Sequence, residues 1–338
     1  MKVQFTLFYR DESLTFPGCG SRSPVFVYVP GYEIPMKIYP EVYLVVDSTF
    51  AKGFKYDVRK VTEYFAVLTN AANLRYASLK YPKVQLMITG ITMNKRPEDE
   101  PYIVTVAGHE KYRNILFKET LEKFNAQMKQ KPFYYTSDIV FLVTAKNMSE
   151  WVGNQLNSFT GGYAYVGTAC SDWRTGMCED RPTSYYGAYV FSHELAHNLG
   201  CSHDQDGASD WVKGHIGSSD CPWDDGYIMS YTMQDERQYK FSYCCEREIR
   251  NLYNRPEFKC LRERNSKTKI EKTTNLPGKM TSLDNYCKRV YMYVDGMKAD
   301  PTYGIHGVQD CTVKCKTSST YWRLAVVDGT PCNNDKTK

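Results

Sequence analysis

Three of the chain's six histidines fall within one short run, His193-Glu194-Leu195-Ala196-His197-Asn198-Leu199-Gly200-Cys201-Ser202-His203-Asp204. No other feature constrains the fold as tightly. On a helix, His193 and His197 lie one turn apart and project from the same face. Gly200 accepts positive φ, so it can end that helix and swing the chain back, bringing His203 to the same point. Three neutral imidazoles on one ion leave a fourth position open, the pattern of a catalytic zinc rather than a structural one, which a further Cys or His usually closes. Glu194, a quarter-turn round the helix from His193, can reach water on such an ion. There it would serve as general base and then pass the proton to a leaving amine. One Zn²⁺ held by His193, His197 and His203 is therefore expected. Met229, in Gly226-Tyr227-Ile228-Met229-Ser230-Tyr231, is soft and polarizable and could floor the three imidazoles.

The rest of the chain reads as an α/β layered domain. EVYLVVD at Glu41–Asp47 predicts a buried strand, as do Val84–Ile91 and DIVFLVT at Asp138–Thr144. Helical spacing is expected over Asp57–Leu79, Glu110–Lys129, Tyr186–Leu199 and Cys245–Tyr253. The alternating, glycine-bounded stretch TGGYAYVG at Thr160–Gly167 predicts an edge strand. From Arg262 to Lys279 the composition turns to Lys, Arg, Thr, Asn and Ser, which reads as a linker. Residues 280–338 hold four cysteines and little helical periodicity, a small disulfide-dependent module.

Twelve cysteines without clustered CxxC pairs point to a disulfide framework from an oxidising compartment, hence a secreted, extracellular protein. No signal peptide is visible: MKVQFTLFYRDE has an apolar stretch shorter than the roughly 7–15 residues of an h-region. A processed, trimmed or incomplete chain is expected. The sequon Asn147-Met148-Ser149 suits a glycosylated surface loop. Lys+Arg 43 against Asp+Glu 38, a net charge of +5 spread along the chain, argues against nucleic acid as a partner. No long apolar run predicts a membrane span.

The histidine run and the downstream Met229 resemble the metzincin zinc endopeptidases, with their HExxHxxGxxH motif and Met-turn. Asp204 after the third histidine is similar to the reprolysin (adamalysin) branch, which includes snake-venom, ADAM and ADAMTS proteases; astacins and matrixins usually carry Glu or Ser there. GYIMSY, GGYAYVGTAC and FSYCC resemble most nearly the salivary metalloproteases of ticks. The likeness covers residues 37–263, and implies an α+β protease domain with a mixed twisted sheet, an edge strand, long helices, a zinc-site helix and the Met-turn. Residues 1–36 would be an N-terminal segment, a propeptide remnant, 264–279 a linker, and 280–338 a cysteine-rich, ADAMTS-like module, truncated six residues after Cys332.

The resemblance implies more for single residues. Asp204 would brace the Met-turn without binding metal, and Gly162, Tyr163, Ala164, Tyr165, Val166 and Gly167 would form the edge strand that pairs with extended substrate. A Ca²⁺ site would use Glu41, Asp138, Glu263 and the Cys260 carbonyl. Cys170–Cys260 and Cys221–Cys244 are the preferred disulfides, with Cys201–Cys245 beside them and Cys178 left for Cys19 or unpaired. Phe16–Gly20 resembles a propeptide thiol switch only loosely, and a disulfide at Cys19 is the better expectation. Tyr231 stands where astacins have a metal-binding tyrosine; a packed or hydrogen-bonded role is expected instead. The function implied is a monomeric secreted zinc endopeptidase acting on extracellular proteins, matrix or clotting proteins such as fibrinogen. The alternative is a non-catalytic receptor- or matrix-binding protein on the same scaffold. Intact ligands and base favour the enzyme. Subsite depth is expected to depend on the loops around residues 213–231.

Overall fold

The computed structural model describes residues 37–232, 235–332 and 336–337. The expectations for residues 1–36, Cys19 and Phe16–Gly20 included, lie outside the described residues. A five-stranded sheet organises the chain. Its strands are β1 (Glu41–Val46), β2 (Met87–Met93), β3 (Ile139–Thr144), β4 (Gly162–Ala164) and β5 (Thr175–Glu179), in spatial order β2-β1-β3-β5-β4. All neighbours are parallel except β4, which runs antiparallel to β5 at the sheet edge. The sheet is mixed because only this last strand reverses.

Alternation along the central strands sends side chains to two cores. Leu44, Val46, Phe141 and Val143 pack with Phe65 and Leu68 of helix α1 (Val58–Tyr76) and with Leu195. Val45, Val140 and Leu142 face the other way, onto Phe117, Leu121 and Phe124 of α2 (Phe117–Met128). Helix α1 starts where Asp57 accepts from the amides of Arg59 and Lys60, satisfying donors that a first turn leaves open. The histidine run begins on α3 (Ala188–Asn198), which packs between α1 and the sheet. Helix α4 (Tyr243–Tyr253) follows, capped by Ser242. Last come α5 (Leu283–Val290) and the paired strands β6 (Thr312–Lys316) and β7 (Tyr321–Ala325).

Five disulfides join the described residues: Cys170–Cys260, Cys201–Cys245, Cys221–Cys244, Cys287–Cys315 and Cys311–Cys332. Among the described residues Cys178, on β5, is buried and has no disulfide partner. Cys170–Cys260 spans 90 residues, so in the chain-entropy model it restricts the unfolded chain by about 4–5 kcal/mol.

Several local expectations yield to tertiary contacts. The helix expected over Glu110–Lys129 starts only at Phe117: Arg113 takes φ +54°, and Asn114–Leu116 becomes a strand paired with Asn147–Val152. The edge strand stops at Ala164 rather than Gly167, because the Gly167 amide turns away to donate to the His197 carbonyl at 2.8 Å. Residues 280–338 contain a helix after all, α5, whose N-cap Ser282 accepts from the Asn285 amide. The polar stretch 264–279 is strapped to the larger body. Ile270 donates to the Ile88 carbonyl at 2.8 Å and Thr268 Oγ1 to that of Thr89 at 2.6 Å. Tyr286, Cys287, Val313 and Val326 share one apolar cluster with the sheet and α3, so the C-terminal part packs against the rest.

Candidate metal centre and active site

Helix α3 is buried nearly all round, Ser192, His193, Glu194, His197 and Asn198 as well as Phe191, Leu195 and Ala196, and this central burial holds its polar side chains in fixed register. It ends as the glycine permits. Gly200 adopts φ +114°, its amide donates to the His197 carbonyl at 2.8 Å, and the Cys201 amide donates to Ala196 at 2.9 Å. A Cβ on Gly200 would meet Leu252 Cδ2 at 2.6 Å. The turn returns His203 to the helix: its Nε2 lies 3.2 Å from Nε2 of both His193 and His197.

The other ring nitrogens are engaged, which sets the tautomers. His193 Nδ1 donates to the Ile228 carbonyl at 2.8 Å, His197 Nδ1 to Cys201 at 2.7 Å, and His203 Nδ1 faces Asp206 Oδ2 at 3.3 Å. Three Nε2 atoms therefore turn their lone pairs to a common point, an arrangement that a cation relieves. Zn–N bonds of about 2.0–2.1 Å in a tetrahedron predict N–N edges of about 3.3 Å, close to the spacing found. The donor set fits zinc. Burial and the His203 neighbour push His193 down to about 3, and burial pushes His197 well below the usual histidine range, so both rings stay neutral and able to ligate. Burial raises Glu194 well above ordinary carboxylates, giving it the proton affinity of a base.

Met229 is fully buried, and its carbonyl accepts from the Asp204 amide at 3.0 Å. The Asp204 carboxylate turns elsewhere, to the Ser242 hydroxyl at 2.6 Å, which joins the metal loop to the start of α4. Tyr231 places its hydroxyl 2.7 Å from His203 Nε2 and 3.3 Å from His193 Nε2. The hydroxyl thus lies at the point where the imidazoles converge. Tyr189, one turn before His193, was not foreseen from sequence. Its hydroxyl donates to the carbonyls of Ile228 (2.8 Å) and Ser230 (3.0 Å), clamping the Met229 turn to α3; the i, i+4 spacing to a ligand was the available signal. Strand β4 passes beside the base, and a Cβ at Gly162 would lie 2.4 Å from Glu194 Cγ.

With this geometry in view, the comparisons decide the family. A model of the reprolysin type, described as metallo-peptidase family M12, matches residues 40–242. The chain belongs to that family. This metallopeptidase chain is 27% identical over 271 residues to a protein of Bombyx mori described as "A disintegrin and metalloproteinase with thrombospondin motifs like", covering 76% of this chain and 38% of that one. It is 28% identical to a venom metalloproteinase of Olivierus martensii over 64% of this chain and 52% of the relative. With an antarease-like venom metalloproteinase of Tityus serrulatus the identity is 26%, over 65% of this chain and 95% of the relative. The chain thus spans well under two thirds of the first two relatives. These matches carry the family, not the narrower likeness to tick salivary enzymes.

Of the second set of candidates, Glu41 and Asp138 come together: the Glu41 amide donates to Asp138 Oδ2 at 2.8 Å. Glu41 Oε1 and Asp138 Oδ1 are buried without a hydrogen-bond partner, while Asn265 and Ser266 amides hold Glu41 Oε2. Burial, with Glu41 adding repulsion, pushes Asp138 well above the carboxylate range. Asp138 also neighbours the Cys170–Cys260 bridge. Glu263 does not join them; its carboxylate pairs with Lys259 at 2.8 Å, because the 3₁₀ turn before it sets the two one turn apart. Asn147 is no surface-loop residue either. It starts a strand, its Nδ2 donates to the Tyr112 carbonyl, and its Oδ1 accepts from Arg181 at 2.8 Å. No helix among the described residues is long and apolar enough to cross a membrane.

Proposed function

We propose that this chain is a secreted, monomeric, zinc-dependent endopeptidase that hydrolyses peptide bonds in extended segments of extracellular proteins, matrix and clotting proteins among them. The observation that carries the reading is the convergence of three Nε2 atoms beside a buried glutamate and a sheet edge that no strand among the described residues covers. Residues 37–263 form the catalytic unit in this reading, with 264–279 as its strap and 280–338 as an appended module.

His193, His197 and His203 would hold the zinc, which when bound acidifies water towards a pKa of about 7 and polarises a carbonyl. The chain's own residues do the rest. Strand β4 offers its outer edge, Gly162–Ala164, with Tyr165, Val166 and Gly167 beyond it, to pair main chain to main chain with a substrate strand. Glu194 takes one proton from the attacking water as the C–O bond forms, and delivers it to the amine nitrogen as the C–N bond breaks. Tyr189 and the Ile228 carbonyl keep the His193 ring in its tautomer and plane. A Ca²⁺ ion at Glu41 and Asp138 is the second cofactor in this reading; their two orphaned, buried oxygens support it.

The test is cleavage of gelatin, casein and fibrinogen by the purified chain, with and without a zinc chelator, beside Glu194→Gln. Cleavage should vanish on chelation and return with zinc. Glu194→Gln should lower kcat by about 10²–10⁴ with one zinc retained. Cleavage that persists in Glu194→Gln would reject the mechanism.

A further inference from the structure

A cavity of about 160 Å³ sinks into the protein directly beside His193 and Glu194. Its volume is about that of an engineered apolar cavity that accepts benzene, so one ring-sized side chain fits. The near wall is α3, through Tyr189 and Val190, with Tyr239 on one side. The far wall comes from a part of the chain remote in sequence: five consecutive residues, Leu324–Asp328, at the end of β7 and just beyond. The loops at 213–231, expected to shape this region, contribute only Tyr231.

This wall is fastened on both sides. Asp328 Oδ2 pairs with Arg75 Nη1 on α1 at 2.9 Å, both side chains at least nine-tenths buried. The Tyr286 hydroxyl donates to the Ala325 carbonyl at 3.0 Å, and Asn285 Nδ2 to the Thr183 carbonyl at 3.0 Å. Behind it, Val326 donates to the Cys311 carbonyl, and Cys311 is bridged to Cys332. Arg75 and Asp328 neutralise each other at the cavity's edge, and away from His193, Glu194 and Gln238 the lining is mostly aromatic and aliphatic, Tyr185, Tyr186, Val190, Leu324 and Val327 among it.

We infer that the C-terminal module is a working part of the cleft. Its Leu324–Asp328 segment is the specificity wall that selects an aromatic or long aliphatic side chain on a residue flanking the bond to be cut. This inference deepens the endopeptidase reading and rests on it for the word "cut". Filling an apolar pocket typically discriminates by about 10–200-fold.

The experiment uses the full chain and a peptide set in which Phe or Ala is placed at one position at a time along an otherwise fixed sequence, so that the selected position is read from binding as well as from cleavage. The wild type should prefer Phe by at least about tenfold in kcat/KM. Ala325→Trp, which fills the cavity from the wall, should reduce that ratio about tenfold or more, and Arg75→Met, which unlatches the wall, should reduce it several-fold. The same Phe and Ala peptides are titrated by fluorescence against Glu194→Gln with and without Ala325→Trp, a binding readout that needs no turnover. Selective loss of Phe-peptide binding in the double variant supports the wall even if nothing is ever cleaved, which would sink the endopeptidase reading alone. Cleavage with an unchanged Phe/Ala ratio in both folded variants overturns the inference and leaves the endopeptidase reading standing.

Discussion

Gly162 lies on the edge strand β4 with nothing but hydrogen between its Cα and Glu194. A Cβ there would sit 2.4 Å from Glu194 Cγ, 2.6 Å from Glu194 Oε1 and 2.6 Å from Val190 Cγ1. Its φ is not in the left-handed region, so Gly162→Ala brings no backbone strain, only this contact. Carbon atoms rest at about 3.5–4.0 Å, so the glutamate must retreat by about 1 Å. A displacement of that size at a reacting group costs about 10²-fold. Gly162→Ala should therefore lower kcat/KM on a quenched-fluorescence peptide by about 10²-fold, about 2.7 kcal/mol of transition-state stabilisation. None of the three histidines is among the added methyl's nearest neighbours, so zinc content should stay at one per chain. Overpacking should cost about 1–3 kcal/mol of stability, read by urea unfolding. Gly161→Ala is the control: its Cβ would approach only Val190, at 3.3 Å, and should cost less than about threefold in rate. If Gly162→Ala retains a third or more of wild-type kcat/KM, or loses activity only in proportion to zinc, the placement of Glu194 against β4 is wrong.

Two further outcomes follow from buried carboxylates. Calcium at about 100 times its dissociation constant should stabilise the chain by about 2.7 kcal/mol, seen as a rise in Tm. Asp138→Asn should abolish the rise without lowering the calcium-free Tm, since it removes a buried negative charge; identical wild-type Tm with and without calcium would count against the site. Burial pushes Glu179 up to about 7 despite the Arg181 guanidinium beside it. Below about pH 4.5 both states hold its proton; between there and about 7 the folded state keeps a proton that the unfolded chain has released, so stability falls as pH rises through that window. Urea midpoints from pH 5 to 8 should decline less steeply in Glu179→Gln. A steeper decline in the variant would contradict the assignment.

What the amino-acid order determined by itself is local chemistry. His193 and His197 share a face because helical spacing puts them there, and Gly200 turns the chain because it lacks a Cβ; neither depends on the rest of the molecule. The central strands at Glu41–Val46 and Ile139–Thr144 were legible for a similar reason, their β-branched runs. Contacts between distant segments decided the remainder. TGMCE at Thr175–Glu179 carries no strand signal, yet it is wholly buried because β3 and β4 flank it. Arg113 leaves the helical pattern to let Asn114–Leu116 pair with a strand more than 30 residues on. Glu263 goes to Lys259 rather than to Glu41, and Leu324–Asp328 is held at the cleft by residues far off in sequence, Arg75 on Asp328 and Tyr286 on Ala325. Periodicity and backbone freedom are written over four or five residues; which surface lies beside which is settled only when the whole core closes.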